Sequence, residues 1–222
     1  MPDKSKALEP QQARSRESLR RLLRAAAEVL GQLGIAGATI PRIAAHAGLT
    51  PGAVYRRFRN KEVLLETMIL QILEDQDRLI RQSITPAMAA VIPIEALAEQ
   101  VISSLLISYR RNAGLLRAIR QFSQDREGTA FWRKATRLQV RSVEYIVDLL
   151  IASKGQIRHS NPKAAIGVGV AMIVGALWEL VVYSKNASVW KGLVPVNDKE
   201  LQKELTRSLL SYLTTTELTD IG

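Results

Sequence analysis

The chain has 222 residues, of which 47% are hydrophobic and 23% charged, a balance that excludes an intrinsically disordered protein and allows a sizeable core. It has no cysteine, which excludes disulfides, thiolate metal centres and cysteine nucleophiles and fits a reducing, cytoplasmic setting. The net charge of +10 is uneven: residues 1–60 hold 11 Lys or Arg against four Asp or Glu, while residues 61–222 hold 20 against 17. A basic first quarter on a nearly balanced remainder points to a nucleic-acid module joined to something else.

Residues 1 to about 15 are polar, basic and punctuated by proline, without a secretory-signal pattern, and are expected to form a mobile tail. Arg14, Arg16, Arg20, Arg21 and Arg24 follow at the approach to the first helix, either as an arm along phosphates or as an ordinary frayed end. That helix is expected from about Glu17 to Leu33, with Leu19, Leu22, Leu23, Ala26, Leu30 and Leu33 on one face. Gly34 and Gly37 end it.

The stretch from Thr39 to Lys61 reads as two short helices joined by a tight turn. Ile40, Ile43, Ala44 and Ala47 repeat at helical spacing, with Thr39 as the expected cap of the first-turn amides. Gly48 ends that helix, since glycine takes the left-handed conformation without penalty. Thr50 caps the second helix, Pro51 suits its first position, and Val54 and Phe58 give it one apolar stripe. Tyr55, Arg56, Arg57 and Arg59 lie mostly off that stripe. This is a helix-turn-helix pattern with double-stranded DNA as the implied partner.

A further helix begins at Asn60, its cap, and runs to about Arg81. Pro86 and Pro93 bracket a break, and helical patterns follow near 94–111, 113–124, 127–153, 162–185 and 198–215. Strand signals are absent, so the chain reads as all-α. From Ala164 to Val182 the sequence is apolar nearly all round and approaches the roughly twenty residues of a membrane span. Glu179 and three glycines favour instead a helix buried on all sides by its own chain and a partner. Gly167, Ala171 and Gly175 form a smooth strip on it, and the last helix carries Leu201, Leu205, Leu209 and Tyr212 on one face, with Leu213 adjoining it. Two such helices from each of two chains would make a four-helix interface; otherwise both complete the monomer core.

The first helix and the stretch to Leu65 resemble the DNA-binding domain of TetR-family transcriptional regulators. The resemblance rests on Ala26-Ala27, Gly34, Thr39, Ile43-Ala44, Ala47-Gly48, Gly52, Tyr55, Phe58, Lys61-Glu62 and Leu64-Leu65. It covers about the first 65 residues; beyond them only length and helical character agree. Three positions depart from the family pattern: Ala38 precedes a single threonine, Pro41 replaces a polar residue, and Arg57 replaces the commonest histidine.

The resemblance implies an N-terminal three-helix DNA-binding domain (1–61) and a larger α-helical effector-binding and dimerisation domain (62–222). It implies a homodimer on a palindromic operator, acting as a repressor released by a small-molecule effector, with the helix from Glu62 to Arg81 as the lever. Positions matching Thr39, Tyr55 and Lys61 resemble backbone contacts, with Thr50, Pro51, Gly52 and Ala53 at the bases. Arg42 and Arg56 have the reach for guanine or phosphate, and Arg57 the reach for phosphate. Ala44, Gly48 and Val54 hold the shape.

Tyr109, Phe122, Trp132 and Trp178 are candidates to line an apolar effector cavity, or they are plain core. Glu179 is either a counter-charge for the effector or, in the preferred reading, an acid paired with a neighbouring arginine or left at the helix end. His46 and His159 lie in no metal-ligand pattern, and no cofactor or catalytic constellation is indicated. The alternatives are an all-helical enzyme using Glu179 or His159, for which no motif exists, and a ligand-independent DNA-binding dimer.

Overall fold

The computed structural model describes residues 5–153, 157–159, 161–183, 190, 192–194 and 197–214, with the backbone alone described for 5–11. All regular structure among the described residues is helical, with no strand among them, as expected. They divide into two compact units. One holds the chain up to Ile72 and Gly114–Ala135; the other holds Leu73–Ala113 and the chain from Thr136.

The first unit begins with α1 (Ser5–Gly37). Its start corrects the expected tail: Ala7, Leu8, Gln11, Gln12, Ala13 and Arg14 are good helix formers and carry α1 upstream. Gly34 leaves the helical region at φ 67°, which is where the sequence places the stop. The helices α2 (Ile40–His46) and α3 (Pro51–Tyr55) follow, then α4 (Lys61–Ser83), whose residues to Ile72 belong here. Leu22, Leu30, Ile43, Leu64, Leu65, Met68 and Ile69 are almost wholly buried, each contributing about 1.5–3 kcal/mol.

The unit also contains chain far from the motif in sequence. The last third of α6 (Ile94–Gln124) and the start of α7 (Ala130–Ala152) lie in it. A Cβ on Gly114 would overlap the carbonyl oxygen of Gly31, so α1 and α6 touch backbone to backbone there. Phe122 meets Phe131 edge to face at 5.8 Å, and the Arg126 guanidinium lies 3.5 Å over the Phe122 ring. The predicted helices 94–111 and 113–124 are thus one element bent at Asn112 (φ −112°, ψ 15°), whose side-chain amide donates to the Ser108 carbonyl at 3.0 Å.

The second unit contains the end of α4, the short α5 (Pro86–Ala89), the first two thirds of α6 and most of α7. It closes with α8 (Pro162–Leu177), a π-helical turn (Trp178–Val182) and α9 (Asp198–Thr214). Its core runs through Ile94, Leu97, Ile102, Leu149, Leu150, Ile166, Leu177 and the α9 leucines. Leu201, Leu205, Leu209 and the adjoining Leu213 are buried in this core, and Tyr212 packs against it half-buried. Gly169 lets α8 approach Leu209 so closely that a Cβ would sit 2.5 Å from its Cδ1.

The segment Pro162–Val182 is long and apolar enough to cross a membrane, with a mean hydropathy of 2.2. Its own chain covers one face of this segment and leaves the other open. Ala165, Ile166, Gly169, Val170, Ile173 and Leu177 face the core, while Val168 and Met172 are about half exposed and Ala171 and Gly175 are exposed.

Candidate nucleic-acid interface

Local backbone chemistry builds the α2–α3 corner. Gly48 takes φ 65°, and the amides of Gly48 and Leu49 donate to Ala45 and Ala44 carbonyls at 3.0 and 2.8 Å, reversing the chain. Thr50 then caps α3: its hydroxyl accepts from the Ala53 amide at 3.2 Å, with Pro51 at the first helical position. Ile43, Ala44 and Val54 are fully buried at the crossing. Asn60 caps α4 by accepting from the Val63 amide at 3.0 Å.

Thr39 departs from expectation. It has the extended backbone of a cap (φ −89°, ψ 152°), but its hydroxyl makes no capping bond. Pro41 explains part of this, because a cap oxygen accepts from the second or third helical amide and the second here has no N–H.

The short motif leaves a continuous set of groups outside. Thr50, Pro51, Gly52, Tyr55, Arg56, Arg57 and Arg59 are exposed, Ala53 is half-buried, and nothing stands within 4 Å of a Cβ placed on Gly52. Tyr55 is 55% exposed, an unusual position for a tyrosine with nothing to meet. Small groups at the tip permit close approach of a groove floor.

Four cations around this corner bond to the chain's own oxygens. Arg21 donates from Nε to the Ala47 carbonyl at 2.9 Å, and Arg42 from Nη1 to Gly37 at 3.2 Å. Lys61 donates from Nζ to Ile35 at 3.1 Å, leaving two of its three N–H groups for another acceptor. Arg57 donates to the carbonyl and hydroxyl oxygens of Ser15 at 3.3 and 3.2 Å. A carbonyl carries no net charge, so these bonds leave the positive field intact. His46 on α2 lies 2.6 Å from the Glu28 carboxylate of α1. The Arg21, Arg57 and His46 contacts span 18 to 42 residues and have no periodic signal in the sequence.

The candidate effector residues do not form one group. Tyr109 and Trp178 meet edge to face at 6.1 Å in the second unit, and Tyr183 lies 5.6 Å from Trp178. Burial pushes the Tyr109 phenol up, opposed by its hydrogen bond with Trp178. Glu179 stands in the π-helical turn and is exposed. Phe122 is core of the first unit, where Trp132 also falls, half-buried. Among the described residues no cluster of His, Cys, Asp or Glu has metal-holding geometry.

The short α2, a glycine turn and a capped α3 with an exposed basic flank form a helix-turn-helix, the arrangement of a DNA-binding module. Residues 22–68 match the family model described as bacterial regulatory proteins, tetR family. The chain is 43% identical over 56 residues to the HTH-type transcriptional regulator BetI 1 of Chromohalobacter salexigens, covering 25% of this chain and 28% of that protein. Its match to BetI 2 of the same organism is 41% over 61 residues, covering 27% and 30%. The match thus spans less than a third of the length of these curated relatives. In fold, a protein assigned to the TetR family from Mesorhizobium loti agrees at a TM-score of 0.72 and 18% identity, over 90% of this chain and 96% of that one. A FadR regulator from Bacillus subtilis in complex with stearoyl-CoA agrees at 0.60 and 19%, over 89% and 98%. NalD of Pseudomonas aeruginosa, a secondary repressor of the MexAB-OprM multidrug efflux pump, agrees at 0.55 and 20%, over 94% and 99%. Residues 22–68 are thus similar to the DNA-binding domain of the tetR regulatory family, and the chain shares the overall fold of solved TetR-family regulators.

Proposed function

We propose that the protein is a homodimeric, cytoplasmic repressor that binds a palindromic operator and is released by a small-molecule effector. The observation that carries this reading is the exposed recognition helix, with Thr50 to Ala53 at its tip and un-neutralised cations around it. Thr50, Pro51, Gly52 and Ala53 read bases, assisted by Arg42 and Arg56, while Thr39, Tyr55 and Lys61 grip phosphate. Two copies place their recognition helices about 34–36 Å apart, in successive major grooves.

Residues 1–61 form the DNA-binding domain in this reading, and 62–222 bind effector and a second copy. The outward face of α8 supplies the dimer contact: Gly167, Ala171 and Gly175 form an open strip flanked by half-exposed Val168 and Met172. The α9 leucines already serve their own chain, so α9 adds to the interface mainly through the polar side of Lys203, Arg207 and Ser211. Tyr109, Trp178 and Glu179 are the effector candidates that one unit groups together. The effector must bind the DNA-incompetent conformation more tightly, since equal affinity shifts nothing. A stearoyl-CoA complex and an efflux-pump repressor share this fold, which supports a ligand-responsive repressor.

Selection of bound genomic fragments tests the reading directly; an inverted repeat is the expected result, and no enrichment would overturn it. Lys61→Ala should weaken binding to all duplexes and lower the salt slope by about one ion, whereas Tyr55→Phe should weaken binding without that charge effect. Gly175→Leu should shift the dimer towards monomer in sedimentation.

A further inference from the structure

Arg57 stands two residues beyond the recognition helix, where a phosphate contact is the simple expectation for an exposed guanidinium. Its terminal nitrogens are turned elsewhere: Nη1 to the Ser15 carbonyl and Nη2 to the Ser15 hydroxyl. The planar fork matches those two acceptors, a geometry that an ammonium does not reproduce. Ser15 belongs to the upstream turns of α1, in the stretch whose polar composition predicts a tail. Arg14 and Arg16 flank it, are exposed, and form no ion pair among the described residues. Arg14 and Ser18 share an edge of α1 with Arg21, whose Nε holds the Ala47 carbonyl at the turn of the motif. The upstream part of α1 is therefore tied to the motif at both ends of the recognition helix.

We propose that Arg57 is a positioning residue: it holds the upstream turns of α1 beside the end of the recognition helix, so that Arg14 and Arg16 bind phosphates outside the footprint of the helix-turn-helix. This rests on the DNA-binding reading above. It assigns Arg57 a different task from the direct phosphate contact that its position implies, and it gives the helical start of α1 a role.

The salt dependence of binding to a mixed-sequence duplex separates the two tasks. A phosphate ligand contributes about one ion to the slope. If Arg57 positions two others, Arg57→Ala should lower the slope by about two, and Arg57→Lys should do nearly the same despite its retained charge. In an Arg14→Ala/Arg16→Ala background, Arg57→Ala should then change the slope no further. Amide exchange of residues 12–18 in the free protein should accelerate roughly two- to fivefold in Arg57→Ala, as the loss of exposed hydrogen bonds would produce. A loss of one ion that is equal in both backgrounds and restored by lysine would overturn the proposal, as would unchanged exchange. Failure of the unaltered chain to bind any duplex would remove the DNA reading itself, and the exchange measurement would still show whether Arg57 holds α1.

Discussion

The two units use their cations in opposite ways. Around the helix-turn-helix, Arg21, Arg42, Arg57 and Lys61 bond to carbonyl or hydroxyl oxygens of their own chain. In the second unit, Arg81 and Arg141 close on the buried Asp77 carboxylate, Arg110 meets Asp198, and Arg207 meets Glu204. The first arrangement immobilises the side chains and keeps their charge; the second cancels it. A neutral acceptor orders a cation without quenching its field, and that combination suits a surface that must attract a polyanion. The contrast is not total, since Arg126 lies 3.6 Å from Glu66 and His46 contacts Glu28 in the first unit. Those pairs are not among the four cations bonded to the chain's own oxygens around the corner.

The largest effect is expected at Asp77. Its carboxylate accepts two bonds from Arg81 at 3.0 Å, one from Arg141 at 2.5 Å and one from the Ser142 hydroxyl at 3.2 Å. Asp77→Ala strands two guanidiniums, and since both are partly exposed and can be rehydrated, the cost should be about 2–3 kcal/mol in denaturant unfolding. The bonds from Arg81 hold the Asp77 carboxyl below its usual value of 3.8, opposed by burial and aided by Arg141. A lowered folded value means the contribution is complete above the ordinary carboxylate range and is lost as pH falls through the lowered one. The wild-type chain should therefore lose this stabilisation only in acid, and Asp77→Asn should flatten that part of the pH profile.

Asp77 also shows where sequence reading stops. It is one aspartate among several charged residues on an amphipathic helix, and its partner Arg141 lies 64 residues away, so no spacing marks it. The helix-turn-helix was legible for the opposite reason. Gly48, Thr50, Pro51 and Asn60 act on backbone groups within three or four residues, so their effects are written locally. Thr39 differs from its expected role in part because Pro41 takes away one of its two possible donors. The upstream start of α1 was hidden by polar composition. The division of α6 was half visible: Asn112 marks the bend, but backbone contact between Gly31 and Gly114 is a tertiary fact. Of the candidate effector residues, the sequence could rank them by chemistry but could not say that Phe122 and Tyr109 belong to different units.

A middle-sized effect should follow from Arg21→Gln. It removes the bond to the Ala47 carbonyl and one positive charge beside the motif. Stability should fall by about 1 kcal/mol, and the salt slope of DNA binding by about one ion. If the slope is unchanged while stability falls, Arg21 is purely structural and the proposed contrast between the units loses one of its four supports.

The smallest effect should come from Arg110 and Asp198, which lie 2.8 Å apart but keep 37% and 54% of their side-chain surface in water. Coulomb attraction there is screened, and ordering two flexible side chains offsets much of it, so a double-mutant cycle should give about 0.5 kcal/mol. The cycle between Asp77 and Arg141 should give several times more, because one partner of that pair has almost no contact with water. Raising the ionic strength to about 1 M should erase the first coupling and leave most of the second. Equal couplings at low salt would mean that charge cancellation, and not burial, sets the strength of pairs in the second unit. The four cations of the motif would then owe their availability simply to the scarcity of carboxylates near them, a condition that a single Ala45→Glu substitution on the exposed side of α2 would reverse. That variant should keep its stability within about 0.5 kcal/mol and lose DNA affinity most strongly at low salt.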